Sequence, residues 1–128
     1  MVKNQKMLYN YQEVKIMRDI RIEKLASNLL RHSINLQKGE KILIEIIGMD
    51  AIPLGKELIR QAENIGAIPF FNIIDYEIIR EILINGTEEQ MQIYAKHDLQ
   101  RMKDMDAYIG VRASTNTAEL NGVPTEKM

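Results

Sequence analysis

The chain has 128 residues, no cysteine, and 17 Lys+Arg against 18 Asp+Glu, a formal net charge of −1. That length suits one domain, able to bury about two-thirds of its unfolded surface without disulfide or metal staples. The balanced charge lacks the basic stripe that neutralises phosphates and argues against nucleic-acid binding; the missing thiols leave no disulfide framework or thiolate metal site and suit a reducing compartment.

Residues 1–21 mix Lys and Asn with isolated apolar side chains and read as an N-terminal arm or an extra helix. They carry no continuous apolar run for a secretory signal or a membrane span, so a cytoplasmic protein is expected, with neither membrane nor nucleic acid as partner. From Ile22 the apolar residues Leu25, Ala26, Leu29 and Leu30 share one face of an amphipathic helix expected to end near Ser33 to Asn35. A turn at Gln37 to Glu40 leads into Ile42, Leu43, Ile44, Ile46 and Ile47. Only Glu45 is polar there, the pattern of a strand covered on both faces.

Gly48 ends that strand, Asp50 is placed to cap the next helix, and Pro53 is tolerated in a first turn whose amides have no intrahelical acceptor to lose. Leu54, Leu58, Ala62 and Ile65 form its apolar stripe, closed by Gly66. A second strand is expected from about Ala67 to Ile74, and Pro69, which cannot donate to a ladder, points to an edge. Asp75 then caps a short helix with Ile78, Ile79, Ile82 and Leu83 inward. Thr87 with Gln90 suggests a capping box for a longer helix bearing Met91, Tyr94, Ala95, Leu99 and Met102. A third strand is expected from Ala107 to Val111, with a helix starting near Thr117.

Alternating strands and helices predict an α/β fold for residues 22–128: three layers, a mainly parallel sheet of three or more strands, helices on both faces, Rossmann-like or flavodoxin-like. With the first of these strands central, the second at its edge and the third on its other side, the chain reverses direction in the sheet. The loops 48–53 and 113–117 then flank a crevice where ligands bind in open α/β sheets.

Chemistry-bearing residues are few. His32 sits at a helix end, where a cation favours the negative end of the dipole, and His97 lies on a solvated helix face between Lys96 and Asp98. No His-Glu-x-x-His, G-x-G-x-x-G or G-x-x-x-x-G-K-[ST] pattern occurs, which removes the zincin, dinucleotide and P-loop readings. Asp50 and Asp75 are explained by capping, and no carboxylate pair is placed for general acid and base roles. The densest polar group is Arg112, Ser114, Thr115 and Asn116 at the tip of the third strand. Part of it is accounted for by helix capping, but an arginine at a strand's carboxyl end is also well placed to hold a carboxylate or phosphate.

Three segments carry a family resemblance: KLASNLLRHSINLQKGEKILIEI (Lys24 to Ile46), PLGKELIRQAENIGAIPFFNI (Pro53 to Ile73) and DAYIGVRASTNTAELNGVPTEKM (Asp106 to Met128). Together they resemble the opening of the thermophilic metalloaminopeptidase family that includes aminopeptidase T and aminopeptidase S. The first two are generic α/β patterns. The third is more specific, with DAYI, then Arg112, Asn116, Glu119-Leu120 and Val123-Pro124 in order.

The resemblance implies a homodimeric parent enzyme that removes N-terminal amino acids from peptides using two divalent metal ions, cobalt, zinc or magnesium. It implies that the metal ligands and catalytic carboxylate lie in a later, C-terminal domain. No catalytic, cofactor or metal residue is therefore expected in these 128 residues, which read as a truncated N-terminal domain, inactive alone. Arg112, Ser114 and Asn116 remain as substrate-cleft candidates, and apolar surface that the missing domain covers is expected. The competing readings are a stand-alone α/β module binding a small ligand at the same strand-tip crevice, and a protein-interaction module.

Overall fold

The computed structural model describes residues 5–10 and 19–112. In chain order the elements are strand β1 (Lys6–Asn10), helix α1 (Asp19–Asn28), strand β2 (Lys41–Ile47), helix α2 (Ile52–Ile65), strand β3 (Ile68–Ile74), helices α3 (Tyr76–Asn85) and α4 (Glu88–Lys103), and strand β4 (Ala107–Arg112). The four strands form one sheet in the order β1-β4-β2-β3, and every pairing is parallel. The α/β class, the parallel sheet and the three layers agree with the pattern read from the sequence.

β2 is central because it is apolar on both sides. Ile42, Ile44 and Ile46 join Ala107, Ile109 and Val111 of β4 in a core closed by Ala26 of α1, by Leu29 and Leu30 just beyond it, and by Leu54, Leu58 and Ala62 of α2. α1 ends in a π-helical turn, Leu29–Ser33, in which the Ile34 amide donates to the Leu29 carbonyl at 3.0 Å. That wider turn brings Leu29, Leu30, Ile34 and Leu36 into the same core. α2 lies so close to the sheet that a Cβ at Gly55 would stand 2.3 Å from Ile46 Cδ1. Its end is set by Gly66 in the left-handed conformation, φ 89°, as the sequence suggested.

The opposite face is thinner. Leu43, Tyr108 and Met105 are buried there, with Met102 of α4 packed against them. No residue of α3 or α4 is itself buried. Ile78, expected inward, is 63 % exposed, and Leu99 of the longer helix is 56 % exposed. Helical spacing identified the apolar stripes correctly but could not say whether another layer lies over them. α3, α4 and the end of β3 instead border an open groove of about 440 Å³ lined by Ile78, Ile79, Ile82, Leu83, Met91 and Tyr94.

Two further readings are corrected. Residues 6–10, assigned to an arm or extra helix, form a strand paired with β4, Lys6 opposite Ala107 through Asn10 opposite Val111. Five residues carry too little periodicity to declare a strand, and its partner lies about a hundred positions away in sequence. Asp50 does not cap α2: it lies within a 3₁₀ turn, Met49–Ala51, and the capping position falls on Ala51, with no side-chain cap bond. The extra turn draws Asp50 out of the extended backbone that a capping side chain requires. The other two caps are as expected, Asp75 accepting from the Glu77 amide at 2.8 Å and Thr87 from the Gln90 amide at 3.1 Å. β3 lies at the edge, as Pro69 foretold.

Candidate functional site at the carboxyl edge of the sheet

From β2 the chain moves outward to β3, then returns to lay β4 on the other side of β2. The reversal falls between the carboxyl ends of β2 and β4, where Ile47 pairs with Arg112. At such a switch point the two following connections leave in opposite directions and a crevice opens between them. The strand placement that the crevice argument needed is therefore present. Of its two flanking loops, 48–53 is described and 113–117 is not. Ser114, Thr115 and Asn116 lie outside the described residues, and Arg112 is the one member of the strand-tip group that can be placed.

Strand alternation puts Arg112 on the face toward α3 and α4, in line with Tyr108 and Gly110. Its guanidinium carbon stands 5.3 Å from the centre of the Tyr76 ring, at the first residue of α3. A cation held over an aromatic face within about 6 Å gains from the ring's negative face and is kept from swinging into solvent. Arg112 Nε is buried without a hydrogen-bond partner. A buried donor left unmade is costly, so the group is suited to an acceptor arriving from outside. The sequence singles out Asp75 as a cap but not Tyr76; the available signal was an aromatic at the first helical position after that cap, just past the carboxyl end of β3.

One row deeper on the same face, Glu45 accepts a hydrogen bond from the Tyr108 hydroxyl at 2.8 Å and a longer one from Asn72 Nδ2 at 3.4 Å. This explains the lone polar residue of β2: Glu45 joins a polar chain across three adjacent strands. Gly110, paired with Glu45 in the ladder, makes the reach possible, because a Cβ there would lie 2.9 Å from the Tyr108 hydroxyl. The cluster is internally satisfied and ties β3, β2 and β4 together beneath Arg112, so it supports the site rather than offering a free acid or base.

His32 and His97 are both exposed, one in the π turn and one on α4. Among the described residues, no three His, Asp or Glu side chains come together as a metal ion would require. No helix among them is long and apolar enough to cross a membrane.

Residues 18–128 match the model of the thermophilic metalloprotease family, M29. No curated protein matches the chain. Among solved structures, wild-type AmpT from Thermus thermophilus is similar over 83 % of this chain, with 28 % sequence identity and a TM-score of 0.59. The match takes in 28 % of the AmpT chain, so the present sequence spans well under a third of that relative. With the family match extending over most of its length, the chain belongs to the thermophilic metalloprotease family M29.

Proposed function

We propose that this chain is the N-terminal, non-metal-binding domain of a dinuclear metal-dependent aminopeptidase that releases N-terminal amino acids from peptides. The observation that carries the reading is the M29 match over residues 18–128 together with the likeness to AmpT, of which this chain spans 28 %. The described residues do not fit a metal centre. The metals, cobalt, zinc or magnesium, supply hydrolytic chemistry when bound, and on this reading their ligands belong to a later domain of the parent. The parent is taken to be a cytoplasmic homodimer.

The chemistry left to this chain is binding and orientation. Arg112, fixed over Tyr76 with an unsatisfied Nε, holds an acceptor oxygen of the peptide at one wall of the cleft. Ser114 and Asn116 follow it in sequence and belong to the same proposed wall. A direct test measures release from an aminoacyl chromogenic substrate by the 128-residue chain and by the full-length parent, with and without cobalt. Turnover is expected from the parent only, and robust turnover by the 128-residue chain would overturn the reading. Arg112→Ala in the folded parent is expected to raise KM or lower kcat/KM; unchanged constants would remove Arg112 from the cleft.

One observation favours a second reading, a stand-alone module for a small anion: the unpartnered Arg112 Nε at the switch point serves a carboxylate or phosphate equally well. Saturable binding of acetate or inorganic phosphate by the 128-residue chain, abolished by Arg112→Ala, in a protein without peptidase activity would establish it.

A further inference from the structure

β1 precedes the family-matched segment, which starts at residue 18. Counted within that segment alone, the strands in space read β3-β2-β4, that is second, first, third. This is the beginning of the flavodoxin-like order 2-1-3-4-5, in which a fourth strand lies parallel to the third on its outer side. β1 occupies that place, parallel to β4 and on its outer side.

The strand is held there by its own side chains as well as by the ladder. Lys6 Nζ donates to the Asn35 carbonyl and to Glu40 Oε1, each at 3.0 Å. Gln5 donates from its amide to the carbonyls of Met102 and Met105 at the end of α4. Leu8 packs against the α1/α2 core, while Met7, on the other face, is exposed. The Lys6–Glu40 pair is solvent-accessible, which makes it weak, and among the described residues β4 alone pairs with β1.

We propose that Lys6–Asn10 is a detachable edge strand. It closes the outer edge of β4 in this chain and gives way there to the strand that follows β4 in the longer parent. An uncovered strand edge presents unpaired amides and carbonyls that recruit other extended chains, so holding it closed prevents mispairing until the proper strand arrives. The occupant named here rests on the parent-domain reading above; the detachment of β1 does not.

The experiment uses a synthetic peptide of residues 1–12 and a chain lacking them. The labelled peptide is expected to bind the shortened chain saturably and the intact chain not at all, and the peptide carrying Leu8→Asp to bind at least tenfold more weakly. Absence of binding to a folded shortened chain would overturn the proposal. Should that chain fail to fold, Leu8→Asp in the intact protein serves. Amide exchange at Ala107–Val111 is expected to accelerate at least tenfold with β2 unchanged; equal acceleration in β2 would mean that β1 is an inseparable part of the core. In the chain extended through its own reading frame, Lys6–Asn10 amides are expected to lose their protection. Retained protection, or a reading frame with no further strand, would overturn the replacement step. None of these readouts involves peptide hydrolysis, so an inactive parent leaves the strand inference standing.

Discussion

The two faces of the sheet have the same parallel backbone beneath them and opposite energetics above. On the α1/α2 face, apolar side chains from β2, β4, α1 and α2 interlock with little or no exposure. On the α3/α4 face, Leu43, Tyr108 and Met105 are covered, but the helices above bury nothing of their own and leave a groove open to solvent. Stability in this domain is therefore one-sided. The tightly packed face holds the fold, and the other carries Arg112, the Glu45 cluster and exposed apolar side chains.

The comparison breaks most sharply through a pair of truncations. Leu58→Ala, at a fully buried position of α2, is expected to cost about 2–5 kcal/mol in denaturant unfolding, from lost burial plus the cavity left behind. Ile78→Ala on α3 is expected to change stability by less than about 0.5 kcal/mol, since that side chain already faces water. Equal costs would mean that the α3 face is as well packed as the other. Next in size, Gly55→Ala drives a methyl into Ile46 and is expected to cost about 1–3 kcal/mol, measured the same way, whereas an exposed helical position gains from alanine.

Tyr108→Phe tests the thin face where it is best organised. Removing the hydroxyl leaves Glu45 with only the longer Asn72 bond, and a loss of about 1 kcal/mol is expected. A neutral result would show that water replaces the phenol freely. The smallest effect belongs to Glu57 and Arg60 on the outer surface of α2. The hydrogen bond from Arg60 holds the Glu57 carboxyl below its ordinary value of 4.5, and the partner guanidinium is raised in turn. A lowered folded-state value means that the pair stabilises above about pH 4.5 and that this contribution fades as the pH falls through the lowered value. Arg60 is exposed and Glu57 half-buried, so solvent screens the pair. Glu57→Gln is thus expected to cost slightly at pH 7 in low salt and progressively less as the pH is lowered below 4.5, as read by melting temperature along the series.

Legibility followed the range of the interaction. β2, the α2 stripe, the Gly66 cap, the Asp75 and Thr87 caps and the edge position of β3 are written in neighbouring residues, through periodicity, backbone freedom and a missing amide donor. What escaped was non-local. β1 exists because β4 offers it a ladder, and its five residues say nothing of that by themselves. The exposure of Ile78 and Leu99 depends on which layer lies above them, not on helical spacing. At the candidate site, Arg112 stands out in the sequence by its place at a strand end, whereas Tyr76 beneath it and the Tyr108–Glu45–Asn72 chain come together only once the strand register is known. Gly110 illustrates the limit: it reads as an ordinary strand glycine until its neighbour's phenol is seen passing over it.

On the proposed reading this domain supplies a scaffold and one wall of a cleft while the metal ions are gripped elsewhere in the parent. Equilibrium dialysis of the folded 128-residue chain against cobalt, with bound metal counted per chain, tests it most directly. The account predicts no stoichiometric retention by this chain and two ions per subunit in the full-length parent. A tightly held divalent ion in the 128-residue chain alone would contradict it.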